Sequence, residues 1–167
     1  MKKIFLAIAA FAAAGLSGCT GNDRVGYDID SKVLLPKNGL QQIDLTQTET
    51  ETGYDVWVYR SGYNSGSSTA ALSVDARALD DYNAANGTAY VLMPEAYYDL
   101  PNTSLRLDND NSSGKIGIRL NVSEITADSP YVLPVSVVSP DTEVSGSAAT
   151  VLLRPVRPEA EEPENAG

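Results

Sequence analysis

Short runs of residues that alternate between apolar and polar side chains recur along the chain, and they constrain the fold more than any other feature. The alternation is clearest in YDVWVYR (54–60) and KIGIRLN (115–121). Successive side chains of a strand point to opposite faces, so a period of two indicates strands with one buried and one exposed face. Seven or eight such strands with Gly, Asn and Ser turns predict an all-β fold, an antiparallel β-sandwich. The further predicted strands are 32–35, 41–46, 69–76, 105–107, 131–138 and 149–153.

One segment breaks this period. The run DARALDDYNAAN (75–86) is rich in alanine, offers Asp75 or Asp80 as an N-terminal cap, and is followed by Gly87. A glycine just past a helix readily takes the left-handed conformation that ends it. The sequence therefore predicts one short helix of two or three turns, which crosses an edge or end of the sandwich and protects the strands from edge-to-edge pairing.

The N-terminus has the pattern of an export signal. Two lysines precede the apolar run 4–16, which is far shorter than a bilayer span, and LSGC then ends at Cys19. This ending resembles the bacterial lipobox, which implies that residues 1–18 are a lipoprotein signal peptide and that diacylglycerol is attached to the Cys19 thiol. Thr20, rather than an aspartate, follows Cys19, a pattern compatible with transfer to the outer membrane. We therefore expect a lipid-anchored protein of the outer membrane, exposed at the cell surface.

The rest of the chain divides by composition. Residues 19–30 are polar and contain glycine, so they are predicted to be a tether, and 31–156 contain the strands of a single β-sandwich domain. Residues 157–167 are acidic, rich in proline and free of large apolar side chains, which predicts a disordered acidic tail. The net charge of −10 argues against binding to nucleic acid or anionic lipid, so membrane contact would come through the anchor.

The residue content argues against catalysis. The chain contains no histidine, and its only cysteine is Cys19. Ser–His and Cys–His nucleophiles, His-ligated zinc and intramolecular disulfides are therefore excluded. A glycosidase needs two carboxylates that flank the scissile bond, and neither Asp80–Asp81 nor the pair of Glu49 and Glu51 lies in an obvious cleft. We predict that the protein is not an enzyme and needs no cofactor.

The segment DNDNSSG (108–114) has the alternating polar spacing of a calcium loop. However, Ser113 stands where the loop needs glycine, and Arg119 stands where a bidentate glutamate should close the shell. A hairpin loop between two strands explains the segment, so no metal site is predicted.

Aromatic residues beside carboxylates are the best candidates for a binding site, because sugars stack on aromatic rings while polar groups take the hydroxyls. In strand 54–60, two valines alternate with Asp55, Trp57 and Tyr59. If the valines face the core, Trp57 and Tyr59 form an exposed pair beside Asp55. In the reversed register Trp57 is a core residue, and on an edge strand it could face a partner domain. Tyr63 is predicted in a glycine-serine loop, and such loops often carry binding residues. Asp55, Trp57, Tyr59 and Tyr63 are therefore the candidate glycan contacts.

Several blocks of the sequence resemble a recurrent domain of Bacteroidota surface lipoproteins, a domain of unknown function. The blocks are Tyr82-Asn83 with Gly87, Leu92-Met93-Pro94 with Tyr97, and YVLPV (131–135), and they extend over residues 55 to 153. The resemblance implies an immunoglobulin-like β-sandwich without established catalytic residues. Such domains typically stand N-terminal to lectin-like modules or chitinase-type glycoside hydrolases in glycan-harvesting systems. Because Tyr82 and Tyr97 belong to the matching blocks, the resemblance also favours a packing role for both side chains.

These observations lead to two expectations for function. The first is a non-catalytic surface lipoprotein that binds polysaccharide or oligosaccharide as an accessory protein of a polysaccharide uptake system. The alternative is a structural spacer or protein-docking module of an outer-membrane complex, which would contact neighbouring surface proteins through a sheet edge or an apolar patch.

Overall fold

A computed structural model describes residues 28–159, so the signal peptide, Cys19, most of the tether and residues 160–167 of the tail lie outside the described residues. The described chain contains eleven strands, one α-helix, α1 (Ala76–Asn86), and 3-10 turns at Glu95–Tyr97 and Gly146–Ala148. The strands are β1 (Ile29–Leu34), β2 (Gly39–Asp44), β3 (Glu51–Tyr63), β4 (Ser68–Val74), β5 (Val91–Leu92), β6 (Tyr98–Asp99), β7 (Ser104–Leu107), β8 (Ser113–Asn121), β9 (Tyr131–Val138), β10 (Glu143–Val144) and β11 (Thr150–Val156).

The strands form two sheets. Sheet A has the order β10-β1-β3-β8-β6, and sheet B has the order β2-β11-β9-β4-β7, with β5 beside β9. Most neighbours are antiparallel, which confirms the predicted β-sandwich. Three pairs that involve an edge or two-residue strand are parallel, namely β10 with β1, β2 with β11, and β5 with β9.

The core lies between the two sheets. Val56 and Val58 of β3 and Ile118 of β8 point inward from sheet A, and Val135 and Leu153 point inward from sheet B. Each is at most 2% exposed. Burying a side chain of this size stabilises a fold by about 1.5–3 kcal/mol, so the alternating apolar positions fix the register of both sheets.

Helix α1 forms as predicted. The Oδ1 atom of Asp75 accepts a hydrogen bond from the Ala78 backbone N–H at 3.2 Å, and Gly87 ends the helix with a φ of +64°. The buried Leu79 packs on Val132 of β9 and Leu152 of β11, which places α1 on the outer face of sheet B near the start of β9. Within residues 28–159, no helix has the length and apolar content needed to cross a membrane.

The DNDNSSG segment is not the hairpin that the sequence predicts. β7 pairs with β4 in sheet B, whereas β8 pairs with β3 and β6 in sheet A. The segment therefore carries the chain from one sheet to the other. The Oδ1 atom of Asp108 accepts hydrogen bonds from the backbone N–H groups of Asp110 and Asn111 at 3.0 and 2.9 Å, and these bonds hold the turn.

Candidate functional site

β3 displays an aromatic pair at the centre of sheet A. Val56 and Val58 are buried, whereas Trp57 is 47% exposed and Tyr59 is 39% exposed. Of the registers that the sequence left open, the structure therefore has the one in which the valines face the core. Tyr59 is paired with both β1 and β8, whereas Trp57 is paired with β8 alone, so hydrogen bonds to neighbouring strands hold the backbone that carries the two rings.

A charged pair lies beside the aromatic pair. Lys115 is directly opposite Trp57 on β8, and its Nζ is 2.6 Å from Oδ2 of Asp55. Both charged side chains are about half exposed, so this ion pair contributes only about 0–1 kcal/mol to stability. Its main effect is to hold a hydrogen-bond donor and an acceptor in the positions next to Trp57 on the same face of the sheet.

Tyr63 is apart from this pair and is not in a loop, contrary to the sequence prediction. β3 continues to Tyr63, which pairs with Ile29 of β1 and is 59% exposed. Gly62 makes this continuation possible. Its φ is +85°, and a Cβ there would lie 2.5 Å from the Asp30 carbonyl oxygen. At about 3.3 Å per residue, Tyr63 is about 13 Å beyond Tyr59 along the strand.

A shallow depression of about 500 Å³ lies on the other side of Asp55, and the sequence analysis missed it. Gly53 and Gly117 are outward-facing positions without a side chain, so backbone atoms form the floor. Gly117 is directly opposite Asp55, and Gly53 is directly opposite Arg119. Glycine inside a strand often marks close approach of another group, and that signal was present in the sequence. The depression is lined by Glu51, Thr52, Gly53, Asp99, Pro101, Gly117, Ile118 and Arg119.

Three charged side chains line this depression. Arg119 lies between Gly53 of β3 and Asp99 of β6 in the register of sheet A. Among the described residues, Arg119, Glu51 and Asp99 make no side-chain hydrogen bond and no ion pair within 4.0 Å. Their donors and acceptors are therefore available to a ligand.

The other two tyrosines of the sequence motifs pack against the sandwich, as predicted. Tyr82 stacks on Tyr90 with ring centroids 6.3 Å apart, and the Arg154 guanidinium lies 5.2 Å from the centre of the Tyr90 ring. Tyr97 meets Tyr131 edge to face at 5.7 Å. All four rings are partly buried and lie against the core clusters. They connect α1 and the segment after it to the sheets.

A buried arginine organises the loop that follows Tyr63. Arg60 is 2% exposed and has no carboxylate partner among the described residues. Its guanidinium donates hydrogen bonds to the Ser68 hydroxyl, the Asn64 and Asn109 side-chain oxygens and the Gly66 carbonyl. These neutral acceptors satisfy a charge that would otherwise be costly to bury. The arrangement stabilises the loop rather than presenting a reactive group.

The shifted carboxylates are not suited to acid catalysis. Hydrogen bonds from the Thr69 backbone N–H lower the pKa of Asp141 to about 2. Backbone hydrogen bonds from Asn111 and Asp110 likewise lower the pKa of Asp108. A general acid needs a raised pKa, whereas these two groups stay charged. Within residues 28–159, no three acidic side chains lie close enough together to hold a metal ion.

The fold is similar to that of several solved Bacteroides proteins. A "putative carbohydrate binding protein" from Bacteroides ovatus has a TM-score of 0.68 at 20% identity, over 77% of this chain and 37% of that one. A multidomain protein including DUF1735, also from Bacteroides ovatus, has a TM-score of 0.57 at 21% identity, over 76% and 45%. EndoBT-3987 of Bacteroides thetaiotaomicron, solved with a Man5GlcNAc product, has a TM-score of 0.51 at 19% identity, over 75% and 31%. The chain thus spans less than half the length of each of these proteins.

Sequence comparison gives the family. None of the curated proteins matches the chain significantly, but the model of a family of N-terminal domains matches residues 29–144. That match covers more than half of the chain. The protein therefore belongs to this family of N-terminal domains, the Bacteroidota β-sandwich domain whose motifs the sequence carries.

Proposed function

We propose that the protein is a non-catalytic, glycan-binding accessory protein of a polysaccharide uptake system, held at the outer membrane by a lipid on Cys19. The observation that carries the proposal is the exposed Trp57–Tyr59 pair beside the Asp55–Lys115 ion pair. A central strand fixes the backbone of both residues before a ligand arrives, so no backbone ordering is needed on binding. Flat rings next to a donor and an acceptor suit the apolar face and the hydroxyls of a sugar.

The relatives support the same class of function. One structural neighbour carries carbohydrate binding in its name, and another is an enzyme solved with an oligosaccharide product. The enzyme's activity belongs to a protein of which this fold covers 31%. The absence of histidine from the chain and the lowered pKa values of Asp108 and Asp141 support a role in binding rather than in catalysis.

Affinity electrophoresis of the purified chain through gels that contain single polysaccharides tests the proposal. We expect at least one neutral polysaccharide to retard the protein and Trp57→Ala to abolish the retardation. Leu92→Ala is the control, because Leu92 is also a large exposed apolar residue but lies on β5. If a panel of neutral and acidic polysaccharides leaves the mobility unchanged, the protein does not bind glycans and the proposal is wrong.

A spacer or docking module is the second candidate. It is favoured by the exposed apolar side chains of Val91 and Leu92, which lie together on β5, since exposed apolar groups mark contacts when they cluster. This function predicts a surface-protein partner that is captured equally well by the wild type and by Trp57→Ala, and lost in a variant with Val91 and Leu92 both changed to Ser.

A further inference from the structure

The aromatic pair and the glycine-floored depression form one continuous surface along β3, which we call the β3 strip and which extends from Tyr59 to Glu51. Trp57 and Asp55 are consecutive outward positions of β3. Gly117, which lines the depression, lies directly opposite Asp55. At about 3.3 Å per residue, the strip is about 26 Å long, which is far longer than a single sugar ring.

The depression has room for a ligand above an intact sheet. A Cβ built on Gly53 would have the Ile118 carbonyl oxygen at 3.8 Å as its nearest neighbour, and one built on Gly117 would have Asp55 Oδ1 at 3.4 Å. Both are ordinary contact distances. The two glycines therefore leave space that the fold does not fill and that a ligand can occupy without displacing the backbone.

The charges of the strip favour a neutral ligand rich in hydroxyls. The depression has one cation, Arg119, and two anions, Glu51 and Asp99, while Asp55 and Lys115 neutralise each other. The whole chain has a net charge of −10, so a uronic acid, sulfate or phosphate would be repelled. A hydroxyl both donates and accepts hydrogen bonds, and it can use the guanidinium and the carboxylates together.

The strip does not close around the end of a ligand. At one end, β3 continues past Tyr59 to the exposed Tyr63. At the other end, a second depression of about 170 Å³ shares Glu51, Asp99 and Arg119 with the first and continues towards Tyr98 and Asn121. A chain that lies on the strip can therefore continue past it in both directions.

We propose, on the basis of the glycan-binding function proposed above, that the β3 strip binds an internal segment of a neutral polysaccharide. Trp57 and Tyr59 stack on sugar rings of that segment. Arg119, with Glu51 and Asp99, binds the hydroxyls of a sugar that lies in the depression two or more units further along the chain.

Calorimetry on the full chain tests the length and charge of the ligand. The probes are a β-glucan, a mannan and a xylan as neutral chains, and polygalacturonate and heparin as acidic chains. We expect binding to at least one neutral chain and to neither acidic chain. For oligosaccharides of the polysaccharide that binds, we expect the Kd to fall at least tenfold when the length increases from two to six sugar units. Reduction of the terminal sugar to its alditol should leave the affinity for six units unchanged.

Gly53→Val tests the depression itself. The substitution fills the floor with a β-branched side chain that suits a strand, and its Cβ meets no strained contact. We expect Gly53→Val and Arg119→Ala each to weaken binding of six units at least fivefold and to leave binding of two units unchanged, whereas Trp57→Ala weakens both.

Two variants on the far side of the sandwich serve as matched controls. Ser104→Val adds the same side chain at an exposed position of β7, and Arg77→Ala removes the same charge from an exposed position of α1. Unchanged thermal unfolding of each variant shows that it is folded.

The outcomes separate this inference from the function on which it rests. A preference for an acidic chain, an affinity independent of length, loss of affinity on reduction of the terminal sugar, or unchanged binding of six units by Gly53→Val overturns the inference while glycan binding stands. If no polysaccharide binds the wild type, the proposed function and the inference both fail.

Discussion

Arg157 shows how much of the sandwich one side chain can hold together. Its guanidinium donates five hydrogen bonds of 2.6–2.8 Å to backbone carbonyls that come from two separate stretches of chain. A lysine has three donors on a single nitrogen and cannot reproduce the planar fork of an arginine. The sequence offers no sign of this role, because Arg157 stands at the start of a segment whose composition predicts disorder. The acceptors are the carbonyls of Thr46, Gln47, Glu49, Val122 and Ile125.

We expect Arg157→Ala to lower the free energy of unfolding by about 2–3 kcal/mol, because the carbonyls lose charge-assisted hydrogen bonds and water replaces only some of them. Arg157→Lys should lower it by about half as much. Urea denaturation measures both values. Arg77→Ala, at an exposed position of α1, is the control and should change stability by less than about 0.5 kcal/mol. Equal stability of Arg157→Ala and the wild type would show that the hydrogen bonds of Arg157 contribute nothing to the free energy of unfolding.

Asp141 makes stability depend on pH. Its carboxylate accepts hydrogen bonds from the Thr69 backbone N–H, which lower its pKa from 3.8 to about 2 in the folded chain. A group whose pKa is lower in the folded state stabilises the fold above its unfolded pKa, and this contribution is lost as pH falls through the folded pKa. The difference in the free energy of unfolding between the wild type and Asp141→Asn should therefore have its largest value above about pH 4 and shrink towards pH 2. Urea denaturation between pH 2 and pH 6 checks this, and a difference that does not change with pH would contradict it.

At the scale of secondary-structure elements, the hydrophobic period and the capping residues of the sequence are sufficient to predict an element when it is long. The alternation in 54–60 and 115–121 predicts β3 and β8, and Asp75 and Gly87 bound α1. The two-residue strands β5, β6 and β10 are too short to show a period. The assignment of β7 and β8 to different sheets was also missed, because alternation tells which face of a strand is buried but not which strand lies beside it.

Two glycines provide a test of the helix end. Gly87 and Gly146 both have open space where the Cβ of a larger residue would stand, but only Gly87 has a positive φ, +64°. Gly87→Ala should therefore destabilise the protein by about 1–2 kcal/mol, since an L-residue is strained in the left-handed region. Gly146→Ala should be neutral or slightly stabilising because it restricts the unfolded chain. Thermal unfolding of the two variants side by side measures the contrast, and equal melting temperatures would refute the role of φ.

At the scale of the whole molecule, the sequence indicates candidate residues for a site but not how far the candidate site extends. Trp57, Tyr59 and Asp55 are candidates because alternation and residue type are both local features, but the sequence leaves open which face of their strand is buried. The depression was missed because Gly53, Gly117 and Asp99 come from three strands, and only the order of sheet A brings them together. Tyr63 is predicted in a loop because its glycine and serine neighbours are typical of loops and give no sign that β3 continues.

The lipid anchor is a prediction about the whole molecule in its membrane. Labelled palmitate fed to cells that express the full chain should be incorporated into the protein, and Cys19→Ser should remove the label and release the protein from the membrane fraction. The reason is that diacylglycerol needs a thiol, and Cys19 is the only one in the chain. Trp57→Ala is the control and should keep the label. A wild-type chain without label would show that residues 1–19 are not a lipoprotein signal.

The position of the two ends of the described chain has a mechanical consequence. Ile29 pairs with Tyr63 at one end of β3, whereas the Arg157 side chain binds the Glu49 carbonyl close to the other end, about 40 Å away at about 3.3 Å per residue. A pull between the two termini therefore acts along the strands and loads the hydrogen bonds between β1 and β3 in shear. Bonds loaded in this way share the force and must break together, so the domain should resist a pull between its two ends far better than a hairpin whose hydrogen bonds break one at a time.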